Sequence, residues 1–412
     1  MTNVKSHPAL LKDQDTEVAA WLQREDKRQS TTLTLIASEN HSSPAVRETG
    51  QSRLTDKYAE GYPSRRYYGG CEVADSIEDL ARARAKTPSK AEAANVQPHS
   101  GTTANMSALL ALAGPGGRIV GMSLKDGGHL THGHPRSHTG MVFAAKQYGV
   151  DGNGRIDMDQ VRSLVKEHKP HVLIAGGSAY ARNIDYAAFA EIAKEHEAFL
   201  MADIAHPAGL IAAGLVPSPV GLADVVTMTT HKTLRGPRGG MILSSSAVAK
   251  KINSSVFPGS QGGPLVQQIA GKAVAFGEAL RPEFRAYQEQ VQANAAHLAK
   301  HLESEGLKIV SGGTDNHIVL VDLQGTGVTG ADVEERALAA GLAVNKNAVP
   351  NDPLPPMVTS GLRLGTPAVT TRGFGTTEIE RIAEIVVGLV RGEDPERYRA
   401  TVQELREAYP LP

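Results

Sequence analysis

Residues 225–240, VVTMTTHKTLRGPRGG, decide how the rest of the chain is read. The β-branched run 225–230 has the composition of a buried strand. It leads into His231 and Lys232, then into Arg235 and Arg238 among glycines and a proline. A strand that ends on a lysine places a primary amine at the mouth of a sheet, where open α/β proteins bind ligands. Such an amine is either a point charge for an anion or a nucleophile for a carbonyl. A basic surface loop would leave the same trace, so the neighbours must decide.

Working outward, strand and helix signals alternate. HVLIAGGS (171–178) is strand-like and ends on Ser178, residues 185–197 form an amphipathic helix, and FLMADI (199–204) carries Asp203, with His206 just beyond. RIVGMSL (118–124) is another strand, and 239–246 turns back as one more. Such alternation implies a mostly parallel sheet with helices on both faces. Ser178, Asp203 and Lys232 then converge on one sheet edge. Earlier, the strand candidate AANVQP (93–98) precedes HSGTTANMSALLALAG, in which Ser100, Gly101 and Thr102 open an apolar helix. Exposed N–H groups and the helix dipole suit that start to a phosphate, although an ordinary Ser N-cap reads the same way.

The remaining organisation is coarser. An amphipathic helix is expected over 13–27 and a strand over 33–37, ending in Ser38, Glu39 and Asn40. A helical region covers 265 to about 305, with Pro282 as a kink. The expected division is an N-terminal helical arm (1–50), a large domain (51–281) and a smaller C-terminal α/β domain (282–412). Of 412 residues, 41% are hydrophobic, enough for a large core, and the formal net charge of -1 gives no sign of nucleic acid or an anionic membrane as partner. Cys71 is the only cysteine, which excludes a disulfide framework and a cysteine metal cluster. MTNVKSHPALLKDQDTE lacks the apolar core of a secretion signal, and no run is long enough for a membrane span, so a cytoplasmic location is expected. His129, His132, His134 and His138 fit no common zinc spacing, and no metal is expected. Tyr58, Tyr62, Tyr67 and Tyr68 crowd a proline-broken loop with Glu60, which points to a site or to an interface that completes one.

A lysine amine, an aspartate at a neighbouring strand end and a phosphate-binding helix start are together what pyridoxal phosphate requires. The lysine forms a Schiff base, the aspartate keeps the pyridine nitrogen protonated, and a histidine such as His129 stacks on the ring. The chain resembles the serine hydroxymethyltransferase family through LIASEN, KYAEGYPSRRYYGG, NVQPHSGTTAN, GGHLTHG, GGSAYARNIDY, ADIAHPAG, TTHKTLRGPRGG, FPGSQGGP, NKNAVPNDP and SGLRLGTPAVTTRGF. The resemblance implies the fold type I (aspartate aminotransferase-like) α/β architecture of pyridoxal-phosphate enzymes. It also implies an obligate homodimer, often paired into tetramers, with active sites built from both subunits.

By that resemblance Lys232 carries the cofactor, Asp203 partners the pyridine nitrogen and His129 stacks on the ring. His206 and Ser178 bond the ring hydroxyl region, while Ser100, Gly101, Thr102 and His231 belong to the phosphate site. Gly262, Gly263 and Tyr58 reach the cofactor of the other subunit. Arg363, Ser38 and His206 hold the amino acid, and Glu60 and Tyr68 handle protons. Leu124, Gly128, Leu130 and Asn347 match folate contacts, tetrahydrofolate being the co-substrate. The implied reaction moves a one-carbon unit between serine or glycine and tetrahydrofolate. Departures from the usual motifs stand at Asp56, Ser64, 134–140, Met228 and 265–268. They keep open a specialised member that turns alanine into α-methylserine; a folate-independent aldolase or transaldolase is a separate alternative, against which Glu60, Leu130 and Asn347 stand.

Overall fold

The computed structural model describes residues 7–412; residues 1–6, part of the expected arm and of the stretch read for a signal, lie outside the described residues. Seven strands form the central sheet: β1 Ala93–Asn95, β2 Arg118–Met122, β3 Ala144–Tyr148, β4 Val172–Gly176, β5 Phe199–Asp203, β6 Val225–Thr229 and β7 Gly240–Ser244. They lie in the order β1-β7-β6-β5-β4-β2-β3. Strands β2 to β6 are mutually parallel. The strand that turns back, β7, runs antiparallel to both of its neighbours. Every residue of β4 is buried, as expected of a parallel strand with helices on both faces. Alternation along β6 sends Val226 and Met228 into one core and Val225 into the other.

The helix expected after Ser100 runs Gly101–Ala113. The expected kinked helical region is instead two helices, Val266–Ala279 and Pro282–Ser304. Pro282 opens the second at its first turn, where a missing N–H breaks no intrahelical bond. Beyond it, β8 Lys308–Ile309, β9 Ile318–Asp322, β10 Asn345–Asn347 and β11 Gly361–Gly365 form a four-stranded antiparallel sheet in the order β8-β9-β11-β10. Leu33 and Leu35 are fully buried in the core of this second sheet. Leu33–Thr34 pairs in parallel with Leu342–Ala343, and Leu35 O accepts from Gly365 N at 2.7 Å. A Cβ on Gly365 would lie 2.3 Å from Ala37 Cα, so Ser38 is held close to the end of β11.

Candidate active site

The carboxyl ends of β4, β5 and β6 bring the chemistry together. Lys232, three residues beyond β6, is 7% exposed. Burial pushes its amine down to about 8; Asp203 opposes that shift, and Arg363 and Arg238 add to it. Asp203 ends β5, in register with Thr227 of β6. Its Oδ2 accepts from Asn105 Nδ2 at 2.8 Å and pairs with His132 Nε2 at 3.0 Å, while Oδ1 accepts from Ala205 N at 3.0 Å. Burial alone would raise the Asp203 carboxyl, but the hydrogen bonds from His132 and Asn105 oppose it, and the group is held well below the usual carboxylate range.

His129 is positioned by the same network. Its Nδ1 lies 2.6 Å from Thr131 Oγ1, and Thr131 Oγ1 accepts from Asn105 Nδ2 at 2.7 Å. Burial lowers the His129 imidazole to about 4, so the ring is neutral. The ligand atoms of His129, His132 and Asp203 lie within 4.8 Å of one another, a spacing that would admit a cation. Both His132 nitrogens are engaged, however, Nδ1 by the His129 N–H at 3.2 Å and Nε2 by Asp203.

His206 Nδ1 lies 3.2 Å from His317 Nε2, and the two rings stack at 5.4 Å and 12°. Burial holds both imidazoles neutral, His317 at about 3. Arg363, on β11, donates from Nη1 to Ser178 O at 2.7 Å and from Nε to Asn345 Oδ1 at 3.1 Å. Burial brings its guanidinium down to about 10, which still leaves it charged at neutral pH. Ser38, Asn40, His231 and Arg238 line a shared cavity of about 290 Å³. Burial and the charges of Arg238 and Lys232 lower His231 to about 3.

Ser100 is the N-cap of Gly101–Ala113, and its Oγ accepts from Thr103 N at 3.1 Å. The N–H groups of Gly101 and Thr102 precede any partner turn and stay available at the helix mouth. A Cβ on Gly101 would lie 2.6 Å from Thr229 Cγ2, and one on Gly240 would lie 2.2 Å from Ser100 O. Close backbone approach thus clamps the helix start onto the end of β6, beside His231 and Lys232. A buried amine, an ionised carboxylate one strand away and a clamped helix start with its first N–H groups unpaired by the helix suit a phosphorylated pyridine aldehyde.

A second group gathers around Tyr58. The Tyr58 and Tyr68 rings meet edge-on at 5.2 Å, and the Glu60 charge raises the Tyr58 phenol. Cβ atoms built on Gly262 and Gly263 would lie 3.3 Å from Glu60 Oε1 and 3.3 Å from Tyr58 Cε1. Tyr58 and Tyr68 are 56% and 49% exposed. Among the described residues no hydrogen bond joins Tyr58, Glu60 or Tyr68 to Lys232, Asp203, His129 or Arg363. Leu124 and Leu130 are exposed apolar side chains. A Cβ on Gly128 would meet Met122 O at 2.1 Å. Asn347 ends β10 and donates to Ala348 O at 2.7 Å. Sequence reasoning missed Asn105, Thr131, His132 and His317 as parts of the site. Asn105 closes NVQPHSGTTAN and Thr131 and His132 lie in GGHLTHG, so those motifs carried a signal for them; His317 lies in no such motif.

Fold and site together define a pyridoxal-phosphate-dependent enzyme of fold type I. The family model described as serine hydroxymethyltransferase matches residues 11–386, and the chain belongs to that family. A protein named serine hydroxymethyltransferase from Desulforapulum autotrophicum is 54% identical over 403 residues, covering 97% of each chain. One of the same name from Leptothrix cholodnii is 53% identical over 401 residues, covering 96% of this chain and 97% of its own. Among the departures from the family motifs, Met228 is 4% exposed inside the core, Asp56 ends a short exposed 3-10 turn, and Leu265 is exposed. Ser64 adopts a φ of 64°, a conformation that favours the glycine the family usually has there.

Proposed function

We propose that this chain acts as a serine hydroxymethyltransferase, moving a one-carbon unit between serine or glycine and tetrahydrofolate with pyridoxal phosphate held at Lys232. The observation that carries the reading is the buried Lys232 amine beside the ionised Asp203, at the ends of adjacent strands. When bound, pyridoxal phosphate supplies an aldehyde for the amino acid's amine and a ring that takes up electron density from its α-carbon. Lys232, its amine near 8, supplies the nucleophile that anchors the aldehyde. Asp203 would hold a proton at the pyridine nitrogen, and neutral His129 would stack on the ring. The Ser100–Thr102 helix start and His231 bind phosphate, while Ser178 and His206 reach the ring hydroxyl region.

Arg363 and Ser38 grip the substrate carboxylate, Arg363 being held in place by Ser178 O and Asn345. Glu60 moves the proton at the substrate hydroxyl, with Tyr68 beside it. Leu124, Gly128, Leu130 and Asn347 receive the folate. We further propose that Tyr58, Glu60, Tyr68, Gly262 and Gly263 serve the site of a second copy in a homodimer; their half-exposed tyrosines, with no hydrogen bond to Lys232, Asp203, His129 or Arg363 among the described residues, support this. The division at 50 and 281 and a cytoplasmic location belong to the same proposal. Among the described residues no helix is long and apolar enough to cross a membrane. The alanine-directed and folate-independent alternatives are not favoured by the family match or by the names of the relatives. The test is glycine formation from serine by the purified protein with pyridoxal phosphate, with and without tetrahydrofolate. No glycine, or equal glycine without the folate, would sink the proposal.

A further inference from the structure

Lys272 sits on the helix Val266–Ala279, outside every motif used above, and is 1% exposed. Its Nζ lies 2.6 Å from Val96 O, 3.1 Å from Pro98 O and 2.8 Å from Gly240 O. Burial lowers its amine to about 7, with Glu78 opposing, and the three carbonyl acceptors, which match the three N–H donors of an ammonium, favour the protonated form. Those carbonyls belong to the chain that runs from β1 into the Ser100 helix start, and to the first residue of β7. Gln261 Nε2 donates to the intervening Gln97 O at 2.9 Å, and Gly263 O lies 3.2 Å from His99 Nε2. The segment bearing Gly262 and Gly263 and the helix behind it therefore hold residues 96–99 from one side.

We infer that Lys272 is a positioning residue for the cofactor phosphate: by tying Val96, Pro98 and Gly240 together it sets the aim of the helix start at Ser100–Thr102. The inference rests on the pyridoxal-phosphate reading of the site. It identifies a buried cation that touches neither substrate nor cofactor. A Cβ on Gly239 would meet Lys272 Cε at 2.5 Å and Nζ at 3.0 Å, so Gly239→Ala displaces the ammonium while keeping its charge.

The test titrates apoenzyme with pyridoxal phosphate and, separately, with pyridoxal, which lacks the phosphate. Wild type, Lys272→Met and Gly239→Ala are compared, with the apoenzyme melting point as a check on folding. Both variants should lose pyridoxal phosphate affinity by about tenfold or more, the size typical when a supporting group behind a ligand site is removed. Pyridoxal affinity should stay within about twofold, because Lys232 still receives the aldehyde. Equal losses for the two ligands, or a wild-type affinity ratio in the Gly239→Ala variant, would overturn the inference and leave Lys272 a plain packing element. Should Lys272→Met fail to fold, Gly239→Ala alone decides. A wild type that binds neither ligand would bring down the cofactor reading as well.

Discussion

The Lys232 amine should cost this fold stability when no cofactor is bound, and replacing it should recover that cost. Burial lowers the amine from 10.5 to about 8 even with Asp203 nearby. Carrying a proton at neutral pH against a shift of that size costs about 3 kcal/mol. The sign follows from linkage: between about pH 8 and 10.5 the unfolded chain holds the proton and the folded chain does not, so stability from this group rises with pH across that window. Below about pH 8 both states are protonated and the full penalty remains. Lys232→Met keeps the apolar stem and has nothing to protonate. Asp203 keeps Asn105, His132 and the Ala205 N–H as partners. For 412 residues, about 3 kcal/mol moves a thermal midpoint by about 4 °C. Apoenzyme melting should therefore show the Met variant about 4 °C above wild type at pH 7, the gap closing by about pH 10.5. A variant no more stable at pH 7, or a gap independent of pH, would refute the view that the lysine is held at a disadvantage for its function.

Asp203→Asn keeps the shape but removes the charge that pairs with His132, and kcat for tetrahydrofolate-dependent serine cleavage should fall by about 10²-fold or more. Ser64→Gly relieves a left-handed backbone and should stabilise the protein by about 1 kcal/mol in urea unfolding, with activity unchanged. Arg66→Met strands Glu78, whose side chain is 1% exposed and whose carboxyl burial already raises. It should cost about 3–5 kcal/mol at pH 7 in the same unfolding assay, less at pH 5, where Glu78 can take up a proton.

Strand ends were legible because a parallel sheet makes them so. Ser178, Asp203 and Lys232 each follow a short apolar run, and right-handed crossovers deliver such ends to one edge. The Ser100 cap was legible because its partner Thr103 is three residues away. The residues that were missed have partners that no local period encodes. Asn105 meets Asp203 across 98 positions, and His132 meets it across 71, through the order of strands in the sheet. His317 reaches His206 from the second sheet, 111 positions away. Pro282 was assigned to a kink because apolar spacing continues through it; only backbone geometry shows Arg281 extended and a new helix beginning. Met228 drew attention as a change close to the lysine, yet the pleat turns it into the core.

The two groups of site residues give the last prediction. Lys232, Asp203, His129 and Arg363 form one connected neighbourhood in a single chain, and Tyr58, Glu60 and Tyr68 form another with Gly262 and Gly263. If one site takes its lysine from one chain and its glutamate from another, Lys232→Ala and Glu60→Gln damage different halves of that site. Each variant alone is inactive. In a symmetric dimer with one of each, both lesions fall in one site and the other site is intact. Random exchange of equal amounts gives half mixed dimers, each with one working site in two, so activity should return to about a quarter of wild type. The assay mixes the purified variants, dissociates and reassociates them, and follows glycine formation from serine with tetrahydrofolate. If both residues serve the site of their own chain, every mixed dimer carries two damaged sites, and no activity returns at any mixing ratio.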